Sequence, residues 1–259
     1  MPQRGSVLRN SPQLRQRVEK YILEKIDEVV QNSRKGRSLR RNPFFAGLPK
    51  RVLRASRIER SLSASSGIQY QEIAADIARS NGYIAQTEVP VAGRMPVTIR
   101  NYIDKVTAKR KTAAPNVARE YAILRKRLGE GLGQTAAEDV TLDLFVNIKG
   151  NEHYFCMKSP QPNSEQTRSI KARLLEVKTL RLPDPVQAIA VLPYNPDPKR
   201  QNRTGSKYLD YDGKEVLVGR EFWDLLGGRG TYTQLVSLFS KVFRTRRRAL
   251  DEVFMRANR

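Results

Sequence analysis

The sequence has 259 residues, 39% of them hydrophobic, which suits one large domain or one domain with a substantial extension. Lys and Arg number 48 against 26 acids, a net charge of +22, and so strong a field draws polyanions, double-stranded DNA first, with RNA and anionic membrane surfaces as rivals. No run of about 18 apolar residues could span a membrane, Met1 to Ser6 lacks the apolar centre of a signal peptide, and the single Cys156 excludes an internal disulfide framework, so a cytoplasmic protein is expected.

Ser11-Pro12 reads as a helix cap followed by proline at the first helical position. Leu14, Val18, Ile22, Ile26 and Val29 then recur every three or four residues, which predicts a helix from Pro12 to about Gln31. Arg34-Lys35-Gly36-Arg37 and Arg40-Arg41 form a basic loop, suited either to tracking phosphates or to lying solvated. After Asn42-Pro43, Leu48, Val52, Leu53 and Ile58 argue for a helix to about Leu62. A third helix is expected over Ile68 to Arg79, with Tyr70, Ile73, Ala74 and Ile77 inward and Asn81-Gly82 at its end. Tyr83 to Val91 reads as a strand, and Pro96 to Lys109 and Pro115 to Leu128 as helices with basic clusters at Lys109-Arg110-Lys111 and Arg125-Lys126-Arg127.

The period changes at Thr141. Leu142, Leu144, Val146 and Ile148 alternate with Asp143, Phe145 and Asn147, and after a turn at Lys149-Gly150-Asn151 a second strand runs from His153 to Lys158. Ser164 to Arg181 is an amphipathic helix, and the continuous apolar run Val186 to Pro193 is a buried central strand. A short strand at Val216 to Val218, a small helix around Phe222-Trp223 and a helical tail from Tyr232 to Met255 complete the chain. The expected architecture is α/β, a mixed central sheet flanked by helices, in which residues 1–82 are a helical N-terminal region of the same globule and residues 83–259 form the core with its C-terminal helix.

The hairpin carries the chemistry. If its loop is Gly150-Asn151, Asp143 faces Lys158; if the loop is Lys149-Gly150, Asp143 faces Cys156. In both registers Asp143, Cys156 and Lys158 share a face, because side chains alternate with period two, and opposed Cβ atoms lie about 5 Å apart. Phosphodiester hydrolysis needs such a grouping. Carboxylates hold Mg²⁺ against a phosphate oxygen, and a lysine orients or activates water and offsets charge on the phosphorane. The plainer alternative is a cross-strand ion pair worth under about 1 kcal/mol.

An acid, a strand, a turn and then x-x-Lys resembles the pattern of PD-(D/E)xK nucleases. NPFF at Asn42, YFCMKSPQPN from Tyr154, VLPYNPDP from Val191 and GREFWDLLGGRGTY from Gly219 together resemble the TdeIII family of type II restriction endonucleases. That resemblance implies a restriction-endonuclease-like core and Mg²⁺-dependent double-strand cleavage at a short symmetric DNA site, GGNCC-like by analogy. It also implies a homodimer with two active centres and a partner DNA methyltransferase. Cys156 stands where the pattern has Glu or Asp, and a soft thiol is a poor Mg²⁺ ligand. A displaced acid is therefore expected, from Glu72 on the third helix, Glu165 at the start of the next helix, or Glu176 within it. The other possibilities are a site of Asp143, a carbonyl and waters, or the loss of cleavage with DNA binding retained.

Elsewhere, Arg37, Arg40, Lys109, Arg110, Lys111, Gln161, Asn163 and Arg246 are the expected DNA contacts, to phosphates or base edges. His153 is the sole histidine, which argues against zinc. Glu176-Val177-Lys178 mimics ExK but lies mid-helix, and Gly227-Gly228-Arg229-Gly230 lacks the Lys-Ser/Thr of a phosphate loop. Two functions compete: a Mg²⁺-dependent site-specific DNA endonuclease, and a non-catalytic nucleic-acid-binding protein with a nuclease-like fold.

Overall fold

The computed structural model describes residues 5–34, 70–108, 114–130, 133–158, 162–184, 186–195, 207–212 and 215–255. The helix expected after Asn42-Pro43, Arg37, Arg40, the cluster at Lys109, Arg110 and Lys111, and Gln161 lie outside these residues.

Five strands form one sheet in the order β1-β2-β3-β4-β5: β1 (Ile84–Pro96), β2 (Thr135–Ile148), β3 (Asn151–Met157), β4 (Gln187–Leu192) and β5 (Val216–Val218). β1 to β3 are antiparallel neighbours, while β3–β4 and β4–β5 are parallel. This is the expected mixed sheet, with two extensions. β1 continues to Pro96, and β2 begins at Thr135 rather than Thr141. The added residues, Thr135 to Asp139, are mostly exposed and lack apolar alternation. Main-chain pairing with Ala92 to Pro96 makes them strand.

Helices cover both faces. On one side α1 (Val7–Asn10), α2 (Pro12–Arg34), α3 (residues 70–80), α7 (Arg220–Gly227) and α8 (Thr231–Thr245) enclose Leu144, Val146, Phe155, Met157, Ile189 and Val191 of the sheet. On the other, Ile170, Leu174 and Val177 of α6 (Ser164–Leu180) pack on Leu142, Tyr154, Cys156, Ala188 and Ala190. A third cluster joins α4 (Val97–Val106) and α5 (Val117–Gly129) to Leu175 on α6. The odd and even residues of β4 divide between the two faces, which is why its sequence is continuously apolar.

Helix ends follow local chemistry. Ser11 Oγ accepts the Leu14 N–H at the head of α2, and Asn163 and Gln166 form a reciprocal capping box on α6. Gly82, at φ 83°, ends the third helix as its sequence predicts. Two elements depart from expectation. The short α1 anchors itself through buried Val7 and Leu8, and the Thr231 hydroxyl donates to Ser6 Oγ. The C-terminal helix is two helices, α8 and α9 (Arg247–Met255), broken at Arg246.

The glycine-rich string after α7 is a packing device. A Cβ at Gly227 would lie 2.7 Å from Ile77 Cγ2, so α7 and α3 approach in near contact. Gly228 and Gly230 turn the chain at φ 84° and 92°, and Asp224 Oδ1 and Oδ2 accept from the Tyr232 and Gly230 N–H groups. The Trp223 indole donates to the Pro193 carbonyl at 2.8 Å, tying α7 to the end of β4.

Candidate active site at the β2–β3 fork

The hairpin turns at Lys149 and Gly150, with φ of 54° and 87°, and Ile148 pairs with Asn151. This register places Asp143 level with Cys156. The regular β2–β3 ladder runs from Ile148–Asn151 to Leu144–Phe155 and stops there. At the next position a side chain takes over: Asp143 Oδ2 accepts the Met157 N–H at 2.5 Å. β3 meanwhile stays with β4, and the Lys158 N–H donates to the Val191 carbonyl at 2.9 Å. The two strands therefore fork at Asp143.

β2 also changes partners at this point. Val140 and Leu142 belong to the α6 cluster, whereas Leu144, Val146 and Ile148 belong to the opposite one. Glu88, between Thr87 (paired with Leu144) and Val89 (paired with Leu142), has φ 52°. A non-glycine residue in the left-handed region there re-aims β1 and β2 together.

Among the described residues, Asp143, Cys156, Lys158 and Arg173 act on one another around the fork. Cys156 is fully buried, and its thiol pKa is pushed up to about 11, first by burial and then by the Asp143 charge; Lys158 and Arg173 oppose the rise. It is a neutral thiol near pH 7. Arg173 acts on that thiol from α6, the helix whose Ile170, Leu174 and Val177 share a cluster with Cys156. Asp143, Lys158 and Arg173 are each half-buried. Sequence reasoning did not single out Arg173. The available signal was a cation bordering the apolar stripe of the helix that follows the lysine strand.

Each of the expected displaced acids has a partner of its own. Glu165 is exposed and ion-paired with Arg168. Glu176 is held at 2.6 Å by Arg100, which also bonds Glu138 at 2.9 Å. Glu72 accepts from the Thr87 hydroxyl at 3.0 Å, one residue from the Glu88 irregularity. Among the described residues no group of three His, Cys, Asp or Glu side chains comes together in a metal-binding arrangement.

Of the expected DNA contacts within the described residues, Asn163 has its side-chain oxygen committed to the α6 cap and Arg246 is paired with Asp27 at 3.0 Å. His153 is satisfied: its Nδ1 bonds the Asn151 carbonyl, its ring stacks on Phe155, and burial lowers its pKa. A more unusual grouping lies beyond the fork. Lys171 is fully buried and bonds both oxygens of buried Glu215, at 2.7 and 2.8 Å, and pairs with Glu120; Lys178, also buried, has its pKa lowered by that burial.

A mixed sheet flanked by helices, with an acid and a lysine on forking neighbouring strands, is a restriction-endonuclease-like core. The chain matches the family "Type II restriction endonuclease, HinfI" over residues 10–243 and belongs to it. It is thus a type II site-specific deoxyribonuclease. It is 29% identical over 212 residues to the type II restriction enzyme HgiCII of Herpetosiphon aurantiacus, covering 77% of each chain. It is 28% identical over 212 residues to HgiEI of the same organism, covering 77% of this chain and 76% of that one. No helix among the described residues is long and apolar enough to cross a membrane.

Proposed function

We propose that this endonuclease cuts both strands of a short symmetric DNA site, with Mg²⁺ as cofactor and Asp143 and Lys158 as its catalytic pair. The fork carries this reading. It opens the sheet beside a carboxylate, and Lys158 directly follows Met157, whose N–H that carboxylate accepts, which supports the pairing. The donor set suits a cation only in part. Asp143 Oδ2 is engaged with Met157 while Oδ1 remains to bind, and Cys156 is a neutral thiol. Mg²⁺ commonly takes one or two carboxylates and completes its shell with substrate phosphate and water. Asp143 would supply the protein oxygen, and the ion when bound would polarise a phosphate oxygen and make water more acidic. Lys158 positions the attacking water and balances negative charge.

Glu72 is the displaced acid favoured by this geometry, because its Thr87 partner is paired with the residue next to Asp143. Glu165 and Glu176 are held by arginines elsewhere. DNA contacts are assigned to Arg37, Arg40, Lys109, Arg110, Lys111, Gln161, Asn163 and Arg246, on charge and position in the chain. The strings at Asn42, Tyr154, Val191 and Gly219 support a nearer kinship with TdeIII-type enzymes. Residues 1–82 and 83–259 are read as parts of one globule. A symmetric site calls for a homodimer, and restriction calls for a methyltransferase that protects host DNA in the same cytoplasm.

A plasmid digest tests the reading. With Mg²⁺ the enzyme should give discrete linear fragments, while Asp143→Asn and Lys158→Ala should bind DNA in Ca²⁺ but not cut. Normal cutting by either variant would remove the pair from the active centre. DNA binding without cleavage at any metal concentration would instead mark a DNA-binding relative that has lost the chemistry along with the carboxylate at 156.

A further inference from the structure

The carboxyl ends of the parallel strands β3, β4 and β5 lie level. Met157 pairs with Val191, and the Lys158 N–H donates to the Val191 carbonyl at 2.9 Å. Leu192 pairs with Val218, and the Gly219 N–H donates to the Leu192 carbonyl at 2.8 Å. The chain leaving β4 at Pro193-Tyr194 and the chain leaving β5 at Gly219 therefore emerge at the same end of the sheet as Lys158. Neighbouring strands are about 4.8 Å apart, so β5 ends roughly 10 Å from β3. Along one strand of duplex DNA that span is about three nucleotide steps.

Two tyrosines are held at this end. A Cβ at Gly219 would lie 3.4 Å from Tyr232 Cζ and 3.5 Å from Tyr194 Cα, so the Tyr232 ring lies against the Gly219 main chain with Tyr194 alongside. Gly219 has φ 49°, a backbone that favours glycine. Successive residues of α7 fix both tyrosines. The Trp223 indole holds the Pro193 carbonyl at 2.8 Å, at the peptide bond that leads into Tyr194. Asp224 Oδ1 accepts the Tyr232 N–H at 2.9 Å. Tyr194 is 38% exposed and Tyr232 is half-buried, and among the described residues no hydrogen bond occupies either hydroxyl. The strings VLPYNPDP and GREFWDLLGGRGTY, far apart in sequence, thus meet in one rigid surface beside the strand end that carries Lys158.

We propose that Tyr194 and Tyr232 position the DNA, their hydroxyls donating to phosphate oxygens of the strand being cut, within about three nucleotides of the scissile bond. This rests on the assignment of the active centre to Asp143 and Lys158. A phenol carries no charge, so such a contact fixes the register of the duplex without releasing a counterion. Rigid mounting suits that task, because a donor already in place loses little freedom when the DNA docks.

The test uses the full chain and a duplex carrying its mapped cleavage site, with binding measured in Ca²⁺ and single-turnover cleavage in Mg²⁺. Tyr194→Phe and Tyr232→Phe keep the rings and remove only the hydroxyls. Each should weaken binding by about tenfold, the loss of one hydrogen bond to a charged group. The slope of log affinity against log salt should not change. Duplexes with a methylphosphonate at one phosphate at a time locate the contact: at the contacted phosphate, its effect and that of the tyrosine substitution should fail to add. Coupling within about three nucleotides of the cut is the expected result. Wild-type binding by either phenylalanine variant overturns the proposal. A loss that adds to the methylphosphonate effect at every position marks a merely structural role and overturns it as well, as does coupling only at more distant phosphates. Lys158→Ala separates the two levels. Normal cutting by that variant removes the active-centre assignment, whereas an inactive Lys158→Ala beside uncoupled tyrosine variants removes the tyrosines alone.

Discussion

Asp143 has a structural task besides the chemical one proposed for it, and a single substitution can confound them. Its carboxylate accepts the Met157 N–H where the strand ladder has ended. Asp143→Ala leaves that buried donor without its acceptor, at a cost of about 1–3 kcal/mol. Asp143→Asn keeps an acceptor oxygen of the same reach and removes only the charge. Thermal denaturation should therefore show a clear fall in Tm for the alanine variant and little for the asparagine, with both inactive in cleavage. Equal melting temperatures would mean that the bond contributes nothing. At this scale the sequence was partly legible. The alternation of Leu142 to Ile148 placed Asp143, Cys156 and Lys158 on one face in either register. It could not choose the register, because that depends on Lys149 adopting a left-handed conformation that lysine disfavours. Arg173 was harder to read, since its neighbour Cys156 is distant in sequence and reached only through the packing of α6.

Among the elements, α6 binds the structure together. It presents its apolar stripe to the sheet, and Lys171 and Lys178 to a buried acidic group that includes Glu215 and Glu120. The two lysines should respond oppositely to removal of charge. Lys171→Met strips buried Glu215 of its cation and should destabilise by about 3–5 kcal/mol. Lys178 sits where burial disfavours its charged form, so Lys178→Met should be neutral or stabilising. Chemical denaturation of the two variants checks the contrast, and a stable Lys171→Met would show the pair to be replaceable. Helix α6 itself was legible from its period, and its cap follows from Asn163 and Gln166. The buried lysines were not, because a cation beside an apolar stripe reads equally well as a solvated flank. The extension of β2 back to Thr135 was hidden for the converse reason: exposed residues paired only through the main chain leave no hydrophobic pattern.

For the molecule as a whole, the surplus of 48 basic over 26 acidic residues governs encounter with DNA. Each phosphate neutralised on duplex DNA adds about −0.9 to the slope of log affinity against log salt. An interface of about six to ten such contacts should lose about three to five orders of magnitude in affinity between 50 and 200 mM salt. Titrations with and without the recognition site should give a steep dependence for both, and a shallow slope would place the basic residues away from the DNA. This part of the function was legible from composition. The nuclease class was legible because the acid and the lysine lie on two strands joined by a tight turn, so that sequence proximity and spatial proximity coincide. The proposed displaced acid was not, since Glu72, Glu165 and Glu176 are equal by spacing and differ only in their partners, Thr87, Arg168 and Arg100.

The bond between Asp143 and Met157 gives the proposed active centre a built-in spectroscopic reporter. An amide proton held by a carboxylate resonates downfield, and its shift follows the charge on that carboxylate. The Met157 amide signal should move when a divalent cation titrates onto Asp143 without DNA, and it should stay fixed in Asp143→Asn over the same titration. Cation occupancy can then be followed on the resting protein, one backbone resonance at a time, with no phosphodiester bond being broken.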